Sequence, residues 1–327
     1  MSAVTLRPTT LRLAPLKLGS RKSPMAIAQS RQVAGLLTER TGCRVEIVGV
    51  TTLGDVSRAQ LTQIGGTGVF VSALREALRS GEVDLAVHSL KDLPTQRVGP
   101  AAGIVLAAVP ARDDPRDALV ARDGAKLADL PAGARVGTGS PRRAAQLLGL
   151  RGDLRCVPIR GNAGTRLGKV AEGELDAVVL AYAGLARIGR VQAVTQVFEP
   201  DEMLPAPGQG ALAVECRDGE PELAALLAAV TDEASRAAVS AERSLLEALA
   251  AGCSAPVGAY AEGTGPLRMR AAVMSTDGTR VLRAHGSAPG ADACRLGRDL
   301  AAELLRRGAS DLISGQQGAG EQQDDVS

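Results

Sequence analysis

LKLGSRKSPMAIAQSRQVAGLLTE, residues 16–39, joins a short aliphatic run, a Gly-Ser turn carrying two cations and a longer stretch of helical period. Leu16 to Gly19 reads as a strand and Pro24 to Glu39 as a helix, with Ser23 as N-cap and Pro24 at the first helical position. The same alternation continues outward. Val45 to Thr51, Val83 to Val87 and Ile104 to Ala108 are further strand candidates, and Val69 to Arg79 a further helix. Such alternation predicts the α/β class with largely parallel sheets.

Asp113 to Asp117 (DDPRD) is polar and holds a proline, so a crossover between domains is expected near it. A second α/β unit follows, with strands at Arg135 to Gly137, Leu154 to Ile159 and Ala177 to Ala181 and helices starting near Pro141 and Asn162. LPAPGQG (residues 204–210) has too much Pro and Gly for a helix or central strand and reads as the return crossing. Pro221 to Ala250 is helical in pattern, and AGCSAPVGAYAE (251–262) breaks it. Strands near Leu267 to Val273 and Arg280 to Ala284, then a helix from Ala291 to Arg307 stopped by Gly308, make a small α+β domain. The Gly-rich polar tail after Ser314 predicts disorder.

VGTGSPRRA (136–144) echoes LGSRKSPMA (18–26): apolar strand, Gly and Ser, then Pro and cations at a helix start. Two similar domains facing each other across a cleft would show this, each aiming a helix N-terminus at a ligand.

The bulk composition limits the function classes. A chain of 327 residues is long for one core and predicts two or three domains. With 38 Lys plus Arg against 36 Asp plus Glu, there is no general pull toward nucleic acid or membrane. Five unpaired-looking cysteines without CxxC or zinc spacing argue against a disulfide framework or a metal and fit a reducing cytoplasm. The N-terminus lacks a signal-peptide pattern, and no apolar run reaches membrane-spanning length.

Arg21, Lys22, Arg142, Arg143, Arg160 and Arg166 all fall at predicted strand ends or first helical turns, where free N–H groups already favour anions. Their guanidinium forks suit a polycarboxylate; the plain alternative is a set of solvated or structurally paired arginines. Nucleic acid is a poorer fit, because two Tyr, two Phe and no Trp leave few stacking platforms. VDLAVHSLKDLP (83–94) reads as a buried strand running into a turn. That turn delivers His88, Ser89, Lys91 and Asp92 to the strand's C-terminal end, where open α/β sheets bind ligands. Asp92 could protonate a leaving amine and stabilise the cation left behind, or could be a turn residue paired with Lys91. Cys253 could be an approachable thiol or a small buried hydrophobe; Cys43, Cys156, Cys216 and Cys294 read as core or inert. IGGTGVF (64–70) lacks phosphate-loop spacing and fits a mobile connection over the cleft.

Taken together, SRKSP (20–24), GD (54–55), GGTGVF (65–70), AVHSLKDLP (86–94), DDPRDA (113–118), GTGSPRR (137–143), IRGNAGTRL (159–167), LPAPGQGA (204–211), AER (241–243) and GCSAPVG (252–258) stand in an order and spacing that resembles the porphobilinogen deaminase family from about residue 16 to 314. The resemblance implies three domains. Domain 1 would comprise 14–108 plus 208–222, domain 2 112–203 and domain 3 226–314, with 1–13 and 315–327 disordered. The first two would be like the halves of a periplasmic solute-binding protein around a cleft.

It also implies hydroxymethylbilane synthase activity in heme biosynthesis, with porphobilinogen as substrate and a dipyrromethane cofactor on Cys253 through a thioether. Asp92 would be catalytic. Cofactor carboxylates would be held by Lys91, Thr138, Ser140, Arg142, Arg143 and Arg160, with Asp92 also beside the cofactor. Substrate would meet Arg21, Ser23, Arg160, Arg166 and Arg187, with Phe70 as a stacking partner. Gln63 and Thr67 stand where some members have lysine, which removes two charges from the glycine-rich segment. A cytoplasmic monomer without nucleic-acid or membrane partners is the family expectation. A non-catalytic polycarboxylate-binding module is the rival reading, and it needs neither a third domain nor the GCSAPVG loop.

Overall fold

The structure, a computed structural model, describes residues 14–50, 68–95, 103–252 and 255–314, without the side chains of 68–70 and 314. The chain divides into two compact units. The first comprises residues up to His88, Val98–Pro110 and Leu212–Thr231; the second comprises Ser89–Arg97, Ala111–Ala211 and everything from Asp232 onward. Each is of mixed α/β composition. The residues expected as the second and third domains share one unit, although they carry separate sheets.

In the first unit, β1 (Leu16–Ser20) leads into α1 (Pro24–Thr41), then β2 (Val45–Gly49), α2 (Gly68–Arg79), β3 (Leu85–Ser89), β4 (Ile104–Ala108), β10 (Leu212–Arg217) and α6 (Pro221–Ala228). The sheet order is β2-β1-β3-β10-β4. β1 pairs in parallel with β2 and β3, and β10 pairs antiparallel with β4. Leu16, Leu18, Val33, Leu37, Leu85, Val214 and Leu227 form its core. Ser23 caps α1, its Oγ accepting from the Ala26 N–H at 3.2 Å, with Pro24 behind it. This is the start predicted from sequence.

The second unit holds β5 (Asp117–Ala121), β6 (Arg135–Gly137), α3 (Pro141–Leu150), β7 (Arg155–Val157), α4 (Ala163–Ala171), β8 (Ala177–Ala181), α5 (Tyr182–Arg187) and β9 (Gln196–Val197). The order β7-β6-β8-β5-β9 repeats that of the first sheet, β6 occupying the place of β1. Ser140 caps α3 as Ser23 caps α1, with Pro141 next. The sequence echo therefore marks equivalent strand-to-helix corners of two like-ordered sheets.

The same unit continues with α7 (Glu233–Ala248), the antiparallel sheet β11 (Val257–Glu262), β12 (Pro266–Met274) and β13 (Val281–Pro289), then α8 (Ala293–Arg306) and α9 (Ala309–Ser314). Leu245, Val257, Met269, Leu300 and Leu304 pack its core. No helix among the described residues is long and apolar enough to cross a membrane.

Several expectations are corrected. β3 lies two residues later than Val83 to Val87, because Val83 N–H closes onto Ala77 O beneath α2. Pro221 to Ala250 is two helices, since the Asp232 side chain accepts from Ser235 N–H at 2.7 Å and starts α7 afresh. β11 is a strand where a break was expected, and β5 and β10 are strands that follow directly on the two expected crossings. Gly308 stops α8, but α9 follows it directly. Of the cysteines read as core or inert, Cys43 and Cys216 are buried, Cys156 is partly buried and Cys294 is exposed on α8. The glycine-rich segment 51–67, the segments 1–13 and 315–327, and Cys253 lie outside the described residues.

Candidate active site

β3 ends in a 3-10 turn, Leu90–Asp92, which brings Lys91 and Asp92 to the C-terminal end of the strand. Leu90 is buried and anchors the turn by donating its N–H to Ala211 O at 3.0 Å, while Asp92 is exposed. Gly208 lies against this turn. Its φ of +77° is left-handed, and a Cβ there would sit 3.3 Å from Leu90 Cγ, so the LPAPGQG segment approaches only as glycine.

Two buried residues that the sequence reading left without a role organise the cations. Asp117, 0% exposed at the start of β5, accepts from Arg142 Nη1 at 2.8 Å and from Arg143 Nε at 2.9 Å. Gln209, also fully buried, donates its Nε2 to Asp117 Oδ1 at 2.9 Å and to Pro115 O at 2.7 Å. Its Oε1 accepts from Lys91 Nζ at 3.1 Å and from Arg143 Nη2 at 3.3 Å. The amide thus spaces two cations around one carboxylate. Its signal in the sequence is a lone Gln inside a Pro- and Gly-rich loop.

Burial by itself would raise the Asp117 carboxyl, but the Arg142 and Arg143 guanidiniums more than reverse this and hold it far below the usual carboxylate range. Burial, followed by the charge of Arg143, draws the Lys91 ammonium down from 10.5 to about 8. Burial and then Arg143 also lower Arg166. These cations are short of negative charge. Arg142 Nε is buried without a hydrogen-bond partner in the structure, and a polyanion such as dipyrromethane is the kind of group these donors fit.

The other candidates are placed as follows. Thr138 is buried at the end of β6 with its Oγ1 accepting from Ser140 N–H at 3.1 Å, and Ser140 Oγ accepts from Arg143 N–H at 3.4 Å. Arg160 is exposed just ahead of α4, and Arg166 Nε donates to Gly161 O at 2.9 Å. Arg187 is already engaged, donating to Asp113 Oδ2 at 2.9 Å and Gly210 O at 2.7 Å. Arg21 and Ser23 belong to the first unit, at the β1–α1 corner. Cys253 and the Phe70 side chain lie outside what the structure describes. Among the described residues no His, Cys, Asp and Glu grouping could hold a metal ion.

Residues 16–225 match the family model described as porphobilinogen deaminase, dipyromethane cofactor binding domain, and 236–306 match its C-terminal domain. The chain belongs to the porphobilinogen deaminase family. Porphobilinogen deaminase of Thermobifida fusca is 61% identical over 310 residues, covering 92% of this chain and 96% of its own. Porphobilinogen deaminase 1 of Streptomyces coelicolor is 54% identical over 312 residues, covering 91% and 97%. Among solved structures, a periplasmic substrate-binding protein of an ABC transporter from Coxiella burnetii overlaps 70% of this chain and 96% of its own at 17% identity, with a TM-score of 0.41. As a member of the porphobilinogen deaminase family the chain is a hydroxymethylbilane synthase, a transferase of porphyrin biosynthesis that uses dipyrromethane.

Proposed function

We propose that the chain joins four porphobilinogen molecules head to tail, releasing ammonia each time, on a dipyrromethane held through Cys253. The observation that carries the residue assignment is the exposed Asp92 next to a half-buried ammonium and two buried guanidiniums gathered round Asp117 and Gln209.

Dipyrromethane supplies the pyrrole carbon from which the chain grows. Asp92 holds the proton for the amine leaving porphobilinogen and then, ionised, faces the cation left on the substrate. Lys91, Thr138, Ser140, Arg142, Arg143 and Arg160 bind the cofactor's carboxylates. Arg21, Ser23, Arg160, Arg166 and Arg187 bind those of the substrate, and Phe70 stacks on a pyrrole ring. For Arg187 this means exchanging Asp113 for the ligand. Asp117 touches no ligand in this scheme; it holds two arginines in place. The protein works as a cytoplasmic monomer in three domains, without nucleic-acid or membrane partners.

Intact mass under denaturing conditions tests the reading. An excess equal to two porphobilinogen units less the ammonia lost on coupling, located on the Cys253 peptide, is expected. A mass that stays unmodified after incubation with porphobilinogen would refute it.

A further inference from the structure

The turn that carries Lys91 and Asp92 is gripped from behind by α7. Arg243, partly buried on that helix, donates Nη1 to Leu93 O at 3.0 Å, more loosely to Leu90 O at 3.4 Å, and Nη2 to Pro94 O at 2.7 Å. A guanidinium thus closes the C-terminal end of the 3-10 turn, where free carbonyls concentrate negative charge. Leu90 O also accepts the Leu93 N–H that closes the turn, so the same fork binds the carbonyls of both residues that share the turn's own hydrogen bond.

The residue before it completes the grip. Glu242, 0% exposed, accepts from Arg112 Nη1 at 2.7 Å and from the backbone N–H groups of Gly208 at 2.6 Å and Ala261 at 2.8 Å. Arg112 Nε reaches Gln209 O at 2.8 Å, and the Gln209 side chain holds Lys91. A closed circuit therefore runs from Arg243 through the turn to Lys91, Gln209, Arg112 and Glu242, and back to the neighbouring residue on the same helix. α7 ends at Ala248, shortly ahead of Cys253 in the sequence.

We infer that Arg243 is a positioning residue for the reaction, holding the Asp92 turn at a fixed place relative to the helix that leads into the cofactor segment. The role rests on Asp92 being the proton donor. Arg243 reaches the turn through its backbone carbonyls, so its loss should displace the acid while leaving the proposed carboxylate-binding side chains in the chain. A displacement of about 1 Å costs on the order of a hundredfold in rate when the reacting groups must be aligned. The effect belongs in kcat rather than KM.

The full-length protein carrying its dipyrrole is the material for the test. Arg243→Gln is expected to keep the covalent mass and a KM for porphobilinogen within about threefold of wild type, while kcat falls about thirtyfold to a hundredfold. Arg243→Lys keeps the charge and one bond and should recover part of kcat; if Arg243→Gln is insoluble, this variant carries the same split by itself. Wild-type kcat in the soluble variants overturns the inference. So does loss of the dipyrrole together with a collapsed unfolding midpoint, which would mean a general structural role. Asp92→Asn separates the two readings. If it stays active, the Asp92 assignment fails and the inference with it; if it is inactive while the Arg243 variants turn over normally, the Arg243 role alone falls.

Discussion

Asp117 and Arg143 lie locked together in the interior, with Nε and Nη2 of the guanidinium 2.9 and 2.7 Å from one carboxylate oxygen and neither side chain more than 7% exposed. Arg142 takes the other oxygen at 2.8 Å. Asp117→Asn would leave two buried guanidiniums facing a neutral amide. A stability loss of about 3–5 kcal/mol is expected from urea unfolding. A loss below about 1 kcal/mol would mean that both arginines find other acceptors.

Lys91 places a pH signature at the alkaline end of the range. Its ammonium loses its proton near 8 in the folded chain and near 10.5 when unfolded, because burial and Arg143 disfavour the charge. Between those values the unfolded chain binds more protons, so stability rises with pH. In a Cys253→Ala background, which should lack the dipyrrole, the protein with Lys91 should gain stability relative to Lys91→Met from pH 8 toward 10.5. Parallel unfolding curves across that range would contradict the assignment.

Glu215 gives a slope of the same sign at the acid end, but through a charge that the fold favours. Burial would raise its carboxyl, yet His88 and Arg75 hold it down at about 2; Arg75 binds it at 2.7 and 3.1 Å, and His88 Nε2 lies 3.2 Å away. A depressed carboxyl stabilises above its unfolded value of 4.5, and the gain disappears as pH falls through 2. Glu215→Gln should cost about 2–4 kcal/mol at neutral pH. The gap to wild type should narrow between pH 4.5 and 2, as followed by thermal unfolding.

Asp92 is exposed at the end of its turn. Asp92→Asn should therefore change stability by no more than about 0.5 kcal/mol. Its porphobilinogen consumption should nevertheless drop about 10²–10⁴-fold, the usual contribution of a positioned acid. Near-normal turnover would reassign the proton donor.

The sheets and both Ser-Pro helix starts were legible because the signals are local: an aliphatic run, a capping hydroxyl and a proline at the first turn. β5 was not, since its first residue, Asp117, looks like loop polarity until its partners are known. Those partners are distant along the chain: Arg142 is 25 residues away and Gln209 is 92. No periodicity reports such a pairing. The place of Arg142 and Arg143 at a helix start points to ligand-binding cations. Their burial around Asp117 depends on tertiary contacts that a single sequence does not display. Arg243 carries no signal beyond its place in the AER motif, because the backbone carbonyls it binds leave no trace in side-chain type.

β10 sits inside the first sheet, between β3 and β4, although the second sheet's strands all precede it in the chain. During synthesis the first unit must therefore wait, its sheet open between two strands whose edges are unpaired, until residue 217 has left the ribosome. Exposed strand edges of this kind invite wrong partners. The second sheet, with its strands contiguous from Asp117 to Val197, can close earlier. The sheet whose first strand opens the chain is thereby the one whose last strand arrives later, after the whole of the second sheet has been made.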